Sequence, residues 1–215
     1  LSDQETDQET DQEIDVECLL SVVMPALNEE ENIDSAISEV LSALDSFQVA
    51  GELIVVDDGS TDSTREIASR RAKEERRISL IVHESNKGIG KAFWTGVDHA
   101  SGQAITMLPG DNENDPAETI RYLDLLQHVD IVIPFVFNKE VRSLFRNALS
   151  YIYRFVINTT FLVHFNYTNG TVLYRKSVLK GMIAKNDGFF FQTDILIRAV
   201  KSGVLFAEVP YKLSV

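Results

Sequence analysis

Two adjacent carboxylates, Asp57 and Asp58, directly follow an apolar segment, Leu53 to Val56, that is typical of a buried β-strand. A Gly-Ser-Thr turn at 59–61 comes next and leads into a helical segment. Because adjacent buried acids are costly, we expect them to face an open crevice, and ligands of open α/β sheets bind at the carboxyl ends of strands. Carboxylates there can accept hydrogen bonds from a nucleobase N–H or ribose hydroxyls, or hold a metal ion that binds phosphates. The pattern therefore predicts a nucleotide site without a glycine-rich phosphate loop.

Polar residues also follow two other predicted strands. Asn28 and Glu29 come after the first strand, and Asp111 and Glu113 come after the fourth. Any single acid at such a position can simply cap the following helix, as Asp and Glu often do. Acids after three strands are harder to explain in that way, so we expect the three strand ends to line one shared crevice.

Strands and helices are predicted to alternate along most of the chain. Apolar runs indicate strands at 19–25, 53–56, 78–82, 104–108 and 130–134. Helical spacing and turn signals indicate helices at 33–44, 61–73, 92–100 and 116–127. This alternation predicts an α/β domain with a mostly parallel central sheet and helices on both faces.

The pattern changes beyond Asn138. There the sequence indicates a long amphipathic helix at 141–157, a strand at 171–174, a helix at 189–201 and a last strand at 204–209. No linker separates this part from the rest. We therefore expect a C-terminal elaboration of one domain that spans residues 18–215.

An acidic tail at 1–17 dominates the formal net charge of −13. It contains eight acids and no base, so we predict that it is disordered. The rest of the chain has 25 acids against 20 bases, and no basic stripe indicates nucleic-acid binding. The single cysteine, Cys18, allows no internal disulfide, and neither a signal peptide nor an apolar run of membrane-spanning length is found. We expect a cytoplasmic protein, at most peripheral on the cytoplasmic face of a membrane.

Three segments together resemble signature motifs of the family-2 glycosyltransferases with the GT-A fold. They are SVVMPALNEEENI at 21–33, IVVDDGSTD at 54–62 and NKGIGKA at 86–92. The resemblance runs from about Leu19 to Leu213 and implies a GT-A-like, Rossmann-type sheet, a nucleotide sugar linked to GDP or UDP, and inversion at the anomeric carbon. By the same resemblance, the donor would bind beside Pro25, Ala26, Asn28, Glu29, Asp57, Asp58, Lys87 and Gly88.

The fourth motif departs from the family pattern. Relatives usually end this strand with Asp-x-Asp, whose acids hold Mg²⁺ or Mn²⁺ on the diphosphate, whereas this sequence has PGDNE at 109–113. Asp111 aligns with the second acid, Pro109 replaces the first, and Glu113 stands where relatives can supply a further ligand. A hard divalent cation needs few protein ligands when phosphate oxygens and water supply the others. The resemblance thus implies a catalytic Asp111 that holds Mg²⁺ or Mn²⁺ with Glu113; alternatively, Asp111 only begins the turn before Pro116.

The segment RNALS at 146–150 resembles an Arg-x-x-x-Ser element of polyprenyl-phosphate sugar transferases such as dolichol-phosphate mannose synthases. Residues i and i+4 share a helix face, so Arg146 and Ser150 would bind one phosphate together, with Arg142 one turn further back. The implied acceptor is a polyprenyl (dolichyl-type) phosphate, and Arg146 would act in catalysis. The same arginines also fit a solvated stripe on an amphipathic helix.

The acceptor decides whether the reaction needs a general base. A lipid phosphate is already ionised near neutral pH, whereas a saccharide hydroxyl needs a base, and Asp194 is the candidate by its position alone. Residues 166–171 (NYTNGT) stand where many relatives have Asp-x-x-Ser-Gly-Phe, and the acid is missing. The sequence therefore predicts an inverting transferase acting on a polyprenyl phosphate. The alternatives are transfer to a saccharide hydroxyl and a non-catalytic scaffold that binds nucleotide sugars.

Overall fold

The computed structural model describes residues 19–138, 144–168 and 170–212, and for residues 144–147 the backbone alone. Within these ranges the strands are β1 Leu20–Ala26, β2 Gly51–Asp57, β3 Ile78–Val82, β4 Ala104–Met107, β5 Ile131–Val136, β6 Leu173–Arg175 and β7 Phe206–Tyr211. The helices are α1 Ile33–Ser46, α2 Thr64–Glu74, α3 Ile89–His99, α4 Pro116–Ile120, α5 Leu144–Phe161, α6 Lys176–Lys180 and α7 Phe191–Lys201, with a 3₁₀ helix at Leu123–Gln127. The predicted tail, residues 1–17, lies outside the described residues.

The seven strands form one sheet in the order β3-β2-β1-β4-β6-β5-β7. Strand β6 runs antiparallel to both of its neighbours, and all other pairs are parallel. The predicted α/β class with a mostly parallel sheet is confirmed. Because only β6 is reversed, the residues that precede it lie at the same sheet edge as the carboxyl ends of β1, β2 and β4.

Helices cover both faces of the sheet, because successive apolar residues of a strand point to opposite faces. In β1, Val22 and Met24 pack into a core with residues of α1, while Val23 packs into a second core with residues of α3 and α7. Phe93 and Trp94 of α3 are almost fully buried in the second core. Burial of an apolar side chain of this size stabilises the fold by about 2 kcal/mol, so both faces contribute. The prediction of helices on both faces is confirmed.

Several predicted helices differ from the structure in their extent: α1 ends two residues later, α3 begins three residues earlier and α7 begins two residues later than predicted. Two larger differences have a structural cause. The helix predicted at 61–73 begins at Thr64, because residues 61–63 form a turn that is hydrogen-bonded to the loop after β1. The helix predicted at 116–127 is divided into α4 and the 3₁₀ helix. Within that second part, Leu123 and Leu126 are buried three residues apart, and this spacing fits a helix with three residues per turn.

The C-terminal elaboration contains the predicted long helix and one helix that the sequence did not indicate. Helix α5 continues four residues past the predicted end, to Phe161, while residues 141–143 lie outside the described residues. Helix α6 follows β6 directly. Among the described helices, none combines the length and the apolar character that crossing a bilayer requires.

Candidate functional site

The loops after β1 and β2 are joined by hydrogen bonds in both directions. The Asn28 N–H donates to Ser60 Oγ (3.0 Å), and Asn28 Oδ1 accepts from the Thr61 N–H (2.8 Å). The Glu29 N–H donates to the Thr64 hydroxyl (2.7 Å). Asn28 has a φ of 56°, in a region where asparagine is several-fold enriched. The two loops therefore form one unit at the sheet edge.

Two acids further along these loops strengthen the connection. The Glu30 N–H donates to Asp62 (3.1 Å), and Glu30 accepts from the Ser63 N–H (3.0 Å). Asp62 also accepts from the N–H (3.0 Å) and the hydroxyl (2.6 Å) of Thr64. Burial acts to raise the pKa of Asp62, but these hydrogen bonds outweigh it and hold the pKa below its ordinary value. An ionised Asp62 thus ties both loops to the start of α2.

Asp57, at the end of β2, is fully buried. Its Oδ1 accepts from the Ser60 N–H (3.0 Å), and its Oδ2 accepts from Arg65 Nε (2.9 Å). Each carboxylate oxygen has a second lone pair that can accept a bond from a base or a ribose group. The geometry is compatible with the predicted donor contact, which stays a prediction. Sequence reasoning missed Arg65, although a base in the first turn after a buried acid was a usable signal.

Asp58 is also buried, and its carboxylate binds the glycine-bearing loop before α3. Its Oδ1 accepts from the Lys87 N–H (2.9 Å), and its Oδ2 accepts from the Gly88 N–H (2.8 Å). His83 Nδ1 lies 2.7 Å from the same Oδ1. Gly88 has a φ of 90°, a conformation that L side chains rarely adopt. The loop therefore depends on both its glycine and the carboxylate of Asp58.

We call residues 27–30, 57–64 and 86–90 the loop cluster. It contains predicted donor residues of three motifs, while Pro25 and Ala26 end β1 directly beside it. The register pairs Ala26 with Asp57, and the Asp58 N–H donates to the Ala26 carbonyl (2.8 Å). The structure thus brings the predicted donor residues together. Their role in binding remains a prediction.

The end of β4 runs beside the end of β1, because the Gly110 N–H donates to the Pro25 carbonyl (3.0 Å). This contact places Asp111 and Glu113 at a cleft of about 320 Å³. The cleft is lined by Ile89, Met107, Pro109, Asp111, Glu113, Asn114, Gly170, Thr171, Phe189, Phe191 and Gln192. Its walls therefore come from the start of α3, the end of β4, the segment before β6 and the start of α7.

The two acids of the cleft suit a hard divalent cation. Asp111 Oδ1 accepts from the Glu113 N–H (3.1 Å), so it does cap the turn, yet its carboxylate remains partly exposed. Across residues 19–138, 144–168 and 170–212, no group of three or more His, Cys, Asp or Glu side chains is placed to hold a metal. Two carboxylates fit a Mg²⁺ or Mn²⁺ ion whose other ligands are phosphate oxygens and water.

The predicted acceptor residues are only partly described. Arg142 lies outside the described residues, and Arg146 lies in α5 where only the backbone is described. Ser150 is exposed on α5. Asp194, the candidate base, lies on α7, where its carboxylate accepts from Arg198 Nε (2.9 Å). Among the described residues, Asp194 does not line the cleft that contains Asp111.

Apolar side chains are exposed near the cleft. Phe189 lines it and is 74% exposed, and Phe190 is 55% exposed. The Phe190 ring stacks on Tyr153 of α5, with ring centroids 5.9 Å apart. Helix α5 itself exposes an apolar face, which consists of Leu149, Ile152, Phe155 and Val156. This surface connects the cleft with the long helix.

The start of α3 contacts the segment before the exposed phenylalanines. A Cβ on Gly90 would lie 2.5 Å from the Asp187 carbonyl oxygen and 2.8 Å from that of Gly188. Trp94 Nε1 donates to the Asn186 carbonyl (3.1 Å). The loop cluster and the aromatic segment 189–191 are thus in contact through α3.

Comparisons with known proteins agree with this geometry. The family model described as "Glycosyl transferase family 2" matches residues 21–182. Undecaprenyl-phosphate 4-deoxy-4-formamido-L-arabinose transferases from Salmonella choleraesuis and Salmonella paratyphi B are each 32% identical over 142 residues. The match covers 66% of this chain and 43% of each relative, so the chain spans less than half the length of these relatives.

Solved structures share the fold. Glucosyl-3-phosphoglycerate synthase from Mycobacterium tuberculosis in complex with UDP has a TM-score of 0.69 and 22% identity, over 92% of this chain and 71% of that one. The same enzyme with Mn²⁺, UDP and phosphoglyceric acid has a TM-score of 0.66 and 22% identity, over 91% and 69%. The predicted GT-A-like fold is confirmed. Since the family model matches well over half of its residues, the chain belongs to glycosyl transferase family 2.

Proposed function

We propose that this chain is the catalytic domain of an inverting glycosyltransferase that moves a sugar from a nucleoside-diphosphate sugar to a polyprenyl phosphate. The observation that carries the proposal is the cleft that Asp111, Glu113 and Phe189 line together, beside the loop cluster. The printed name of the 32%-identical relatives, an undecaprenyl-phosphate sugar transferase, supports a lipid phosphate as the acceptor.

The loop cluster supplies the donor contacts in this proposal. Asn28 is exposed at the sheet edge, and the buried Asp57 fixes Ser60 and Arg65 beside it, so that this edge can contact the base and the ribose. The exposed Lys87 and the positive N-terminal end of α3 lie next to the diphosphate, whose negative charge they offset.

Asp111 and Glu113 would hold Mg²⁺ or Mn²⁺, and the solved relative with Mn²⁺ and UDP supports this assignment. When bound, the cation offsets the negative charge that develops on the departing nucleoside diphosphate. Asp111 is fixed for this role by the bond from the Glu113 N–H, and Glu113 stays exposed. The chain itself thus contributes two oxygen ligands and the turn that orients one of them.

Arg146 and Ser150 would bind the acceptor phosphate from one face of α5. A phosphate oxygen forms the new bond to the anomeric carbon while the bond from that carbon to the diphosphate oxygen breaks. The bonding electron pair leaves with the nucleoside diphosphate, and attack from the opposite face inverts the configuration. No general base is needed, which agrees with the pairing of Asp194 with Arg198 on α7.

Exposed apolar surface beside the cleft suits the lipid part of this acceptor. The apolar face of α5 and the ring of Phe189 offer area that an isoprenoid chain can cover. Burial of apolar area stabilises a complex by about 25 cal/mol per Å² removed from water, and this contribution does not depend on exact orientation. A saccharide acceptor gains less from such a surface.

The test is a turnover assay with the purified chain, UDP- and GDP-sugars, Mn²⁺ or Mg²⁺, and a polyprenyl phosphate in detergent. We expect a glycosylated lipid phosphate by mass spectrometry and an inverted anomeric configuration by NMR. Arg146→Ala and Ser150→Ala should lower transfer to the lipid without lowering donor binding, whereas Arg70→Ala on the exposed face of α2 is the matched control.

Three outcomes would contradict the proposal in different ways. Turnover on saccharides alone would favour a hydroxyl acceptor. Nucleotide-sugar binding without turnover on either acceptor would favour a scaffold, for which the replacement of the first family acid by Pro109 is the supporting feature. Full lipid transfer by the Arg146→Ala variant would reject the assigned acceptor site.

A further inference from the structure

We propose that His83 is a positioning residue of the donor site. It orients the Asp58 carboxylate, and Asp58 in turn holds the N–H groups of Lys87 and Gly88 that begin the predicted diphosphate loop. The inference rests on the proposed function for the meaning of that loop. The position of His83, before the NKGIGKA segment, lies outside all three signature segments.

Both nitrogens of the buried His83 ring have a partner. Nδ1 lies 2.7 Å from Asp58 Oδ1, and Nε2 lies 3.0 Å from the hydroxyl oxygen of Thr95 on α3. An ionised carboxylate can only accept, so the contact requires the proton on Nδ1, and Nε2 of a neutral ring then accepts from Thr95. The Asp58 carboxylate thereby selects the tautomer, and the Thr95 hydroxyl, which can donate or accept, matches it.

The backbone around His83 is anchored as well as its ring. The His83 N–H donates to the Asp57 carbonyl (2.9 Å), which extends the pairing of β2 with β3 by one residue. Consequently the imidazole is attached to the sheet, while its acceptor, Asp58, is attached to a neighbouring strand end. Because the imidazole ring is held by the sheet, it does not move with the Asp58 carboxylate. Rotation of the carboxylate would break the hydrogen bond to the ring, so the bond opposes that rotation.

The Asp58 carboxylate needs this support because it is buried and makes three contacts of defined direction. Oδ1 accepts from His83 and Lys87, and Oδ2 accepts from Gly88. Without the imidazole donor, one lone pair of a buried anion loses its partner and the carboxylate can turn to recover one. The Lys87 amide then loses its fixed acceptor, and the Gly88 N–H keeps only Asn86 Oδ1 (2.9 Å), so the loop loses its connection to the sheet edge.

Two substitutions separate the ring nitrogens. The amide nitrogen of asparagine can occupy the place of Nδ1, whereas that of glutamine comes closer to the place of Nε2. His83→Asn therefore keeps a donor for Asp58, and His83→Gln removes it. Thr95→Val removes only the partner of Nε2, so it serves as the control for the contact on the other side of the ring.

The first measurement is amide hydrogen exchange in the nucleotide-free protein. We expect the Lys87 and Gly88 amides to exchange more slowly than those of Ser85 and Asn86 in the unaltered chain. We expect His83→Gln to speed their exchange about tenfold or more, and His83→Asn to restore most of the protection. Thr95→Val should change it by less than about threefold.

The second measurement is calorimetric binding of UDP and GDP in the presence of Mn²⁺, with KM for the donor where turnover is found. His83→Gln should weaken binding about tenfold and raise KM, with kcat changed less, while His83→Asn stays within about threefold. Thermal unfolding of the same variants tests for a general loss of structure. If the two variants are destabilised equally but only His83→Gln binds nucleotide more weakly, the result supports a positioning role for His83.

The inference fails if Lys87 and Gly88 are unprotected in the unaltered chain, which requires no variant to fold. It also fails if His83→Gln leaves their exchange unchanged, or if both variants lose binding equally. Faster exchange in His83→Gln, together with no nucleotide binding by the unaltered protein, would reject the proposed function while the His83–Asp58 support remains.

Discussion

The loop cluster and the apolar side of the cleft differ in how their side chains are held. In the loop cluster, Asn28, Asp57 and Asp58 use their side-chain oxygens on neighbouring backbone N–H groups. On the other side, Phe189 and the residues of the apolar face of α5 are each at least half exposed. The first arrangement fixes the geometry for a polar ligand before it binds. The second suits a ligand that is recognised by apolar area, where exact direction matters little.

The largest effect should come from the acid that stands between the two regions. Asp111→Asn removes one charge from the candidate metal site, and loss of such an electrostatic contact typically costs about 10²- to 10³-fold in kcat. Steady-state kinetics over a range of Mn²⁺ concentrations measures this loss. Glu74→Gln, an exposed acid on α2, should leave kcat unchanged. Full activity of Asp111→Asn would remove Asp111 from the mechanism.

The contact between the two regions can be broken at Gly90. A helical Gly→Ala change usually stabilises a protein, but here the new Cβ would lie 2.5 Å from the Asp187 carbonyl oxygen. We expect Gly90→Ala to lower the free energy of unfolding by about 2 kcal/mol, because backbone must move to admit the methyl group. Denaturant titration measures it.

Gly181→Ala is the matched control for this change. Its Cβ would lie no closer than 3.4 Å to its nearest neighbours, so we expect a change within about 0.5 kcal/mol. If Gly90→Ala were as mild as Gly181→Ala, the two regions would not be tightly connected through α3.

A substitution on the apolar side of the cleft should change the binding of the lipid substrate rather than the stability of the fold. Phe189→Ala removes a 74%-exposed ring, so we expect little loss of stability and a rise of about fivefold in KM for a long polyprenyl phosphate. KM for the nucleotide sugar should stay constant. An equal rise in KM for a short, water-soluble prenyl phosphate would show that the ring does not contact the isoprenoid chain.

The smallest effect is expected far from the cleft, at Glu52. Its carboxylate accepts from the Ser21 hydroxyl (2.6 Å) and from the N–H (2.6 Å) and hydroxyl (2.8 Å) of Ser101. Burial acts to raise the pKa of Glu52, but these bonds outweigh it and lower the pKa below its ordinary 4.5. Glu52→Gln should therefore destabilise the protein by about 1 kcal/mol at pH 7 and leave nucleotide binding unchanged.

The pH dependence follows from the direction of this shift. A group whose pKa is lowered by folding stabilises the native state above its unfolded pKa, and that stabilisation disappears as the pH falls through the folded pKa. The difference in unfolding free energy between Glu52→Gln and the unaltered chain should be constant above about pH 5.5 and shrink below the ordinary pKa of 4.5. A difference that does not depend on pH would show that ionisation of Glu52 is not involved.

Much of the fold was predictable because local patterns agree with the tertiary structure. Strand β3 was predicted with its observed bounds, Ile78–Val82, and an apolar run before Asp57 sufficed to identify β2. The prediction of one continuous helix at 116–127 was wrong. Its second part is a 3₁₀ helix, whose buried residues recur every three positions instead of at the α-helical spacing. The reversal of β6 depends on pairing with β4 and β5, which three residues of sequence cannot specify.

The candidate site was predictable in composition but not in its internal contacts. The acids after β2 and β4 could be assigned to one edge, because the carboxyl ends of parallel strands meet there. The His83–Asp58 contact joins residues 25 positions apart on neighbouring strand ends, and no local pattern encodes it. A much longer separation in sequence hides the contact of Gly90 with Asp187, since it depends on how α3 and the chain before α7 meet.

The reversed direction of β6 has a consequence for the evolution of substrate choice. Since β6 runs antiparallel to β4, it begins at the cleft end of the sheet, and Gly170 and Thr171 line the cavity just before its pairing begins. Neither residue takes part in the register that aligns β1 with β2. A lineage can therefore change the lining of the cleft at these positions while it keeps the strand register that holds the loop cluster.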